Sequence, residues 1–362
     1  MLSRGELIQL HRKHRNENLL SVYLDAEESD PAKRRVWRRI FDQVVAEARG
    51  KVADPAEGEA FDRAAAHLEH ELGQYDGFLP QRGWLGFATA SGLVHAESLP
   101  VVMPNRARWA PGPTVAPYVR ALPLAKPVLM VLVDRHRARL FRTRLGAFEE
   151  LAAIESDAFY GDLSDNVNMS KRATTTTGVR GESDHDVAQR IEDTGAERLL
   201  KRLAETVREA AGSDGTVVVG GPPEMTAAAM QRLGKFMDER LIEDPTVNAS
   251  TTIAELARAT ERRAAVVAEQ LQLRHVEQVA DLAHSRGRGA LGRPAAAKVL
   301  EERRVEVLYA TRETIESDPE QAERWVAAAF DQDAEVEEIV GVAAERLNRE
   351  GEGVAARLRY TR

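Results

Sequence analysis

Six consecutive apolar residues, Val128-Leu-Met-Val-Leu-Val133, constrain the fold more than any other segment. A strand with one wet face alternates apolar and polar residues. An unbroken apolar run is the pattern of a strand covered on both faces, as in sheets flanked by helices. Asp134–Arg137 reads as a turn after it, and Ala138–Arg144 as its hairpin partner. Thr216–Val219 reads as a second buried strand. Between them Val187, Ile191, Leu199, Leu203 and Val207 recur at multiples of four, which predicts a long helix. Gly220-Gly-Pro-Pro223 and a helix from about Glu224 complete a β-β-loop-α-β-α segment over 123–245.

A chain of 362 residues is too long for one ordinary core, so two or three domains are expected. Ahead of 123 the pattern predicts a helix at Ser3–Asn16 and a strand at Leu19–Asp25. Asp30 and Pro31 read as the cap and first turn of a helix whose stripe is Val36, Trp37, Ile40, Phe41, Val44 and Val45. Phe61, Ala65, Leu68 and Leu72 form a second stripe. Strands follow at Trp84–Thr89, Gly92–Ser98 and Val115–Leu122, with the proline-rich Met103–Pro117 as a connection or an edge. Leu122-Pro-Leu-Ala-Lys-Pro127 punctuates a boundary. Beyond 245, Thr252 and Glu255 suit a capping box for a helix faced by Ile253, Leu256, Ala264, Val267, Leu271 and Val279. A basic, glycine-punctuated loop runs from His284 to Pro294, before a helix at Ala295–Arg303 and a strand at Val305–Tyr309. Helices at Ala322–Phe330 and Val336–Asn348 and a strand at Val354–Tyr360 end the chain. The fold class is α/β, in three α/β domains at 1–122, 123–245 and 246–362.

The absence of cysteine excludes disulfides, a thiolate zinc site and a thiol nucleophile. No run of about 18 apolar residues exists to span a membrane. Met1–Arg15 is charged and lacks the apolar core of a signal peptide, so a cytoplasmic protein is expected. A formal net charge of −8 argues against indiscriminate coating of nucleic acid but leaves room for a local basic patch.

Gly161–Asp186 is a long polar stretch with little to bury, and loops of that length inside a compact domain are functional or disordered. Its Lys171, Arg172 and Arg180, with Thr174 and Thr175 from a run of four threonines and Arg190 just beyond, offer the groups that contact phosphate and sugar. A solvated loop is the alternative. Ser183, His185 and Asp186 are too close in sequence for a catalytic triad, whose members converge from separate elements. They also suit a helix start, with a polar cap and acids at the positive dipole end. Gly220-Gly221 lacks the spacing and the lysine of a phosphate loop and reads as a tight turn or close packing. Arg286, Arg288 and Arg293, spaced by glycines, suit phosphate recognition, or else a helix C-cap with solvent-facing arginines. Lys33, Arg34, Arg35, Arg38 and Arg39 surround Trp37 on one helix, as a solvated face or a second basic patch around a core tryptophan. No cofactor, metal site or catalytic residue is expected.

Val128–Arg144 resembles the opening hairpin of the central domain of archaeo-eukaryotic class-1 release factors and Pelota. Gly287–Tyr309 resembles the glycine-rich loop, helix and strand of their third domain. Leu20–Asp25 and Gly351–Tyr360 are similar to the bacterial branch of that superfamily, which includes Balon-like hibernation factors. The resemblance implies a central release-factor-like domain and a C-terminal domain of the ribosomal-protein L7Ae type. It implies a ribosome-binding translation factor directed to the A site, with rRNA or tRNA contacts from Lys171, Arg172, Thr174, Thr175, Arg180, Arg286, Arg288 and Arg293. An elongation-factor-type GTPase is the implied protein partner. In that family a loop of the central domain carries Gly-Gly-Gln to the peptidyl-transferase centre. The corresponding loop here, Gly161–Asp186, contains none. The resemblance therefore implies occupancy of the site, in hibernation, stress or rescue, rather than ester hydrolysis. Hydrolysis through a diverged loop, using His185 or Gln189, is the alternative. A third reading is a stress protein that binds a protein partner away from the ribosome.

Overall fold

The structure is a computed structural model that describes residues 1–27, 35–144, 147–156, 184–212 and 215–361. It forms two compact units, one of Met1–Ala125 with Glu269–Arg362 and the other of Lys126–Ala268.

The first unit opens with α1 (Arg4–His14), β1 (Asn18–Asp25), α2 (Val36–Arg49), α3 (Pro55–Leu72), β2 (Gly83–Thr89), β3 (Gly92–Leu99) and β4 (Arg106–Pro111). The strands make an antiparallel sheet in the order β3-β2-β1-β4. The two predicted helical stripes are the faces that bury: Trp37, Phe41 and Val44 of α2 and Phe61, Leu68 and Leu72 of α3 cover Leu20, Val22 and Leu24. β4 shows that the proline-rich passage contains an edge strand. The strand expected at Val115–Leu122 is instead a 3-10 helix over Ala116–Ala125. Pro117 and Pro123 have no N–H to donate to a ladder. The N–H groups of Val115 and Ala116 are satisfied elsewhere, by the buried Glu323 carboxylate at 2.9 Å each.

The second unit contains β5 (Val128–Val133), β6 (Arg137–Arg144), β7 (Ala147–Glu155), α4 (Asp184–Ala211), β8 (Thr216–Gly220), α5 (Pro223–Met237) and β9 (Leu241–Glu243). Its sheet order is β7-β6-β5-β8-β9, with β5, β8 and β9 parallel and β6 antiparallel to both its neighbours. β5 is central, and its apolar run is buried on both faces. Leu129, Val131 and Val133 pack on Leu199, Leu203 and Val207 of α4, while Met130 and Leu132 pack on Val247, Leu256 and Ala259. β7 was not expected from its sequence, which alternates poorly. Cross-strand ion pairs, Arg139–Glu150 at 2.7 Å and Arg142–Glu149, hold it to β6.

Helix α6 (Ile253–His284) starts in the second unit and ends in the first. Thr252 and Glu255 close the expected capping box: the Thr252 N–H donates to Glu255 Oε2 at 3.0 Å, and the Glu255 N–H to Thr252 Oγ1 at 3.3 Å. Then come β10 (Gly289–Leu291), α7 (Arg293–Glu301), β11 (Val305–Thr311), α8 (Arg312–Ser317), α9 (Pro319–Asp331), β12 (Glu335–Ile339), α10 (Gly341–Gly351) and β13 (Val354–Leu358). The sheet order is β10-β13-β11-β12, with β11 and β12 parallel. The expected helix at Val336–Asn348 is thus a strand followed by a shorter helix. Glu338 disguises the strand, because a charged residue fills a buried position. Its carboxylate lies 2.8 Å from Arg312 Nε and 3.4 Å from Arg120 Nε.

The two sheets of the first unit share one apolar core. Leu7, Tyr23, Phe87 and Tyr118 belong to the same buried cluster as Leu308, Trp325, Phe330 and Leu358. Ion pairs border it: Glu320 meets Arg106 at 3.1 Å and Arg108 at 2.9 Å, and Glu316 meets Arg120 at 2.8 Å.

Candidate nucleic-acid interface

The C-terminus of α6 organises the basic segment that follows it. The Arg286 N–H donates to the Ala283 carbonyl at 3.1 Å and the Gly287 N–H to the Leu282 carbonyl at 2.7 Å. This pair of bonds is a Schellman closure, whose left-handed position is usually glycine. Here Arg286 occupies it, at φ +54°. A β-carbon in that conformation costs about 1 kcal/mol or more. The backbone therefore follows the C-cap reading, yet an arginine stands where glycine would be easier. Gly289 is needed for a different reason. A β-carbon there would lie 2.6 Å from the Val279 carbonyl oxygen, so glycine lets β10 run close under the end of α6.

Between α6, β10 and α7 lies an open cavity of about 540 Å³. His284, the cationic Arg286, Lys298 and Arg304, and the acidic Glu302 share its lining with apolar Ala290, Leu291, Ala295, Val299 and Leu358. Arg286, Arg288 and Lys298 are exposed, and they form no ion pair among the described residues. Arg304 is largely buried and lies 2.6 Å from Glu302. Arg293 belongs elsewhere. It lines a separate cavity with Glu313, Thr314 and Asn348, donates to the Glu352 carbonyl at 3.3 Å, and lies 3.8 Å from Asp318. The structure thus separates Arg293 from Arg286 and adds Lys298 and Arg304. Sequence reading missed both: Lys298 is one lysine on an ordinary helix, and Arg304 reaches the cavity only because β11 pairs with β13. The adjacent Arg303-Arg304 before a predicted strand was the available signal.

Lys171, Arg172, Thr174, Thr175 and Arg180 lie outside the described residues, as do Lys33, Arg34 and Ser183. Helix α4 begins at Asp184, so His185, Asp186, Gln189 and Arg190 sit in its first turns. Gly220 and Gly221 are accounted for by packing. A β-carbon on Gly220 would strike the Val247 side chain, and one on Gly221, at φ +142°, would strike the Val133 carbonyl oxygen. Trp37 is core, and its Nε1 donates to the Gly77 carbonyl at 2.8 Å. Arg35 pairs with Asp76 at 3.0 Å, and the exposed Arg38 lies 5.2 Å from the Trp37 ring. No group of three or more histidines or carboxylates among the described residues could hold a metal ion. No helix among them is long and apolar enough to cross a membrane.

Residues 113–265 match the model of bacterial archaeo-eukaryotic release factor family 10. That segment, less than half of the chain, is similar to the release-factor/Pelota superfamily. The matched segment takes in the whole five-stranded sheet and the helices packed on it. Solved structures similar to this chain include Pelota of Archaeoglobus fulgidus, at 14% identity over 77% of this chain and 80% of that one, with a TM-score of 0.35. Dom34 of S. cerevisiae, described as interacting with Hbs1, is 12% identical over 66% and 65% of the two chains, at 0.44. Archaeal Pelota in a ribosome-bound model with ABCE1 is 15% identical over 99% and 94%, at 0.44. No curated protein matches.

Proposed function

We propose that this release-factor-like chain binds the ribosome in the A site and occupies it without cleaving the peptidyl-tRNA ester, in hibernation or stress. One observation carries the reading. The family segment holds a single Gly-Gly pair, Gly220-Gly221, and both glycines are needed for packing against Val247 and Val133. Neither is available to present a Gly-Gly-Gln backbone to an ester. The tip of the central domain would be the 161–186 stretch, with Lys171, Arg172, Thr174, Thr175 and Arg180 on rRNA or tRNA, and Arg286, Arg288 and Arg293 adding contacts elsewhere. An elongation-factor-type GTPase is the proposed protein partner, and the cytoplasm the proposed location.

Two measurements test the reading together. Co-sedimentation with ribosomes should be strong at low salt, fall steeply as salt rises, and weaken when Lys171, Arg172 and Arg180 are replaced by alanine. Peptide release from a ribosome carrying peptidyl-tRNA should not exceed the factor-free rate. Release above that rate would move the assignment to a hydrolase acting through a diverged loop. Absence from ribosomes in both growing and starved cells would leave only a protein-binding role.

A further inference from the structure

We infer that the cavity between α6, β10 and α7 is a binding site for a nucleotide of single-stranded RNA, its phosphates on Arg286 and Lys298 and its base against Tyr360. The inference rests on the ribosomal reading above and gives it a second contact point.

Two features of the cavity lining, and one beside it at Tyr360, which adjoins the lining through Arg304, support the site. The first is strain placed beside a charge. Glycine at position 286 would close the α6 cap at lower cost. The chain keeps arginine instead, with its side chain exposed on the cavity lining. Left-handed non-glycine residues persist where surrounding structure enforces them, and they cluster at ligand clamps. The second feature is unsatisfied donor capacity. Arg286 and Lys298 form no ion pair among the described residues, and buried Arg304 Nε has no hydrogen-bond partner there. Glu302 on the same lining pairs with Arg304, which leaves the exposed Arg286 and Lys298 as the charges open to an anionic ligand. The third feature is aromatic. Tyr360 is 53% exposed, and Arg304 lies 5.8 Å from its ring centroid. Cations beside an exposed aromatic ring are how single-stranded nucleic acid is held: the ring takes a base and the cations follow the backbone.

An acidic polypeptide would use the same charges, but the local architecture offers it little. β10 has only three residues and is followed by Gly292 at φ +91°, so its free edge is too short for an added peptide strand. The apolar floor of the cavity and the ring of Tyr360 fit a planar base better.

The test is fluorescence anisotropy with a labelled oligouridine of about twelve nucleotides, within the span such sites cover. It is run on the full chain at several salt concentrations. Arg286→Gly should weaken binding about tenfold and flatten the salt dependence by roughly one phosphate contact, a slope change of about 0.7. Its melting temperature should stay level or rise, because glycine relaxes the cap. Lys298→Glu and Tyr360→Ala should weaken binding to a similar degree. Oligouridine affinity unchanged in Arg286→Gly and Lys298→Glu overturns the inference. So does a polyglutamate peptide that binds more tightly than the RNA and loses affinity in the same variants. Ribosome co-sedimentation of each variant is read separately. A variant that loses the RNA but still co-sediments supports the pocket and shows that ribosome attachment depends on another surface.

Discussion

Glu323 is the residue whose loss should cost the first unit most per atom removed. Its buried carboxylate accepts the N–H groups of both Val115 and Ala116 at 2.9 Å. Glu323→Ala leaves two buried donors without an acceptor. Each such loss costs about 1–3 kcal/mol, so the pair amounts to about 2–6 kcal/mol. The lower half of that range applies, because alanine also removes a carboxyl group whose burial is itself unfavourable. The expected loss is about 3 kcal/mol. With a urea slope near 3 kcal/mol per M, the denaturation midpoint should fall by about 1 M. Glu323→Gln keeps one acceptor and should fall about midway. The pH dependence has a definite sign. Burial pushes the Glu323 carboxyl above the usual carboxylate range, against the pull of the two backbone donors, Arg108 and Arg106. A group raised in the folded state contributes fully below its unfolded value of about 4.3 and loses that contribution as pH rises through the folded value. The gap between wild type and Glu323→Gln should therefore narrow from about pH 4 towards neutrality. A Glu323→Ala midpoint within about 0.2 M of wild type would refute the two-donor argument.

Two further substitutions probe packing and charge. Gly221→Ala should remove the folding transition of the second unit in differential scanning calorimetry, since its β-carbon meets the Val133 carbonyl oxygen and its φ is +142°. An unaltered thermogram would show that the turn can shift. Glu97 is pushed up by burial but held at about 2 by hydrogen bonds from His95, the Met1 amino group and Tyr118, which outweigh it. A depressed folded value stabilises above the unfolded value and is lost as pH falls through the folded one. Glu97→Gln should therefore be less stable than wild type at pH 6 and indistinguishable from it near pH 2, by circular dichroism melts.

How much of this was legible in the sequence depended on where each segment finds its partners. Val128–Val133 announced a strand buried on both faces because both coverings are apolar and need only hydrophobic residues. The Thr252–Glu255 cap was legible because its partners are three residues apart. The segments that misled have distant polar partners. Val115 and Ala116 depend on a carboxylate more than two hundred positions away. β12 hides behind Glu338, whose counter-charges come from Arg312 and Arg120. At the candidate interface the three arginines were visible by composition, but only the fold showed that Arg293 faces Glu352 and Asp318 while Arg286 joins Lys298. No local pattern carries that distinction.

The shared core of the first unit imposes an order in time. Its buried cluster runs from Leu7 to Leu358, so a chain emerging from the ribosome holds Leu19, Tyr23 and Phe87 without their final cover until nearly the last strand is made. The second unit, Lys126–Ala268, has all its partners long before then. Domains tend to fold as their segments are completed, at about 5–20 residues per second. The middle of this protein should therefore fold first. The beginning has to wait roughly ten to fifty seconds for the end at that rate, with the apolar face of its first sheet open to solvent or to a chaperone.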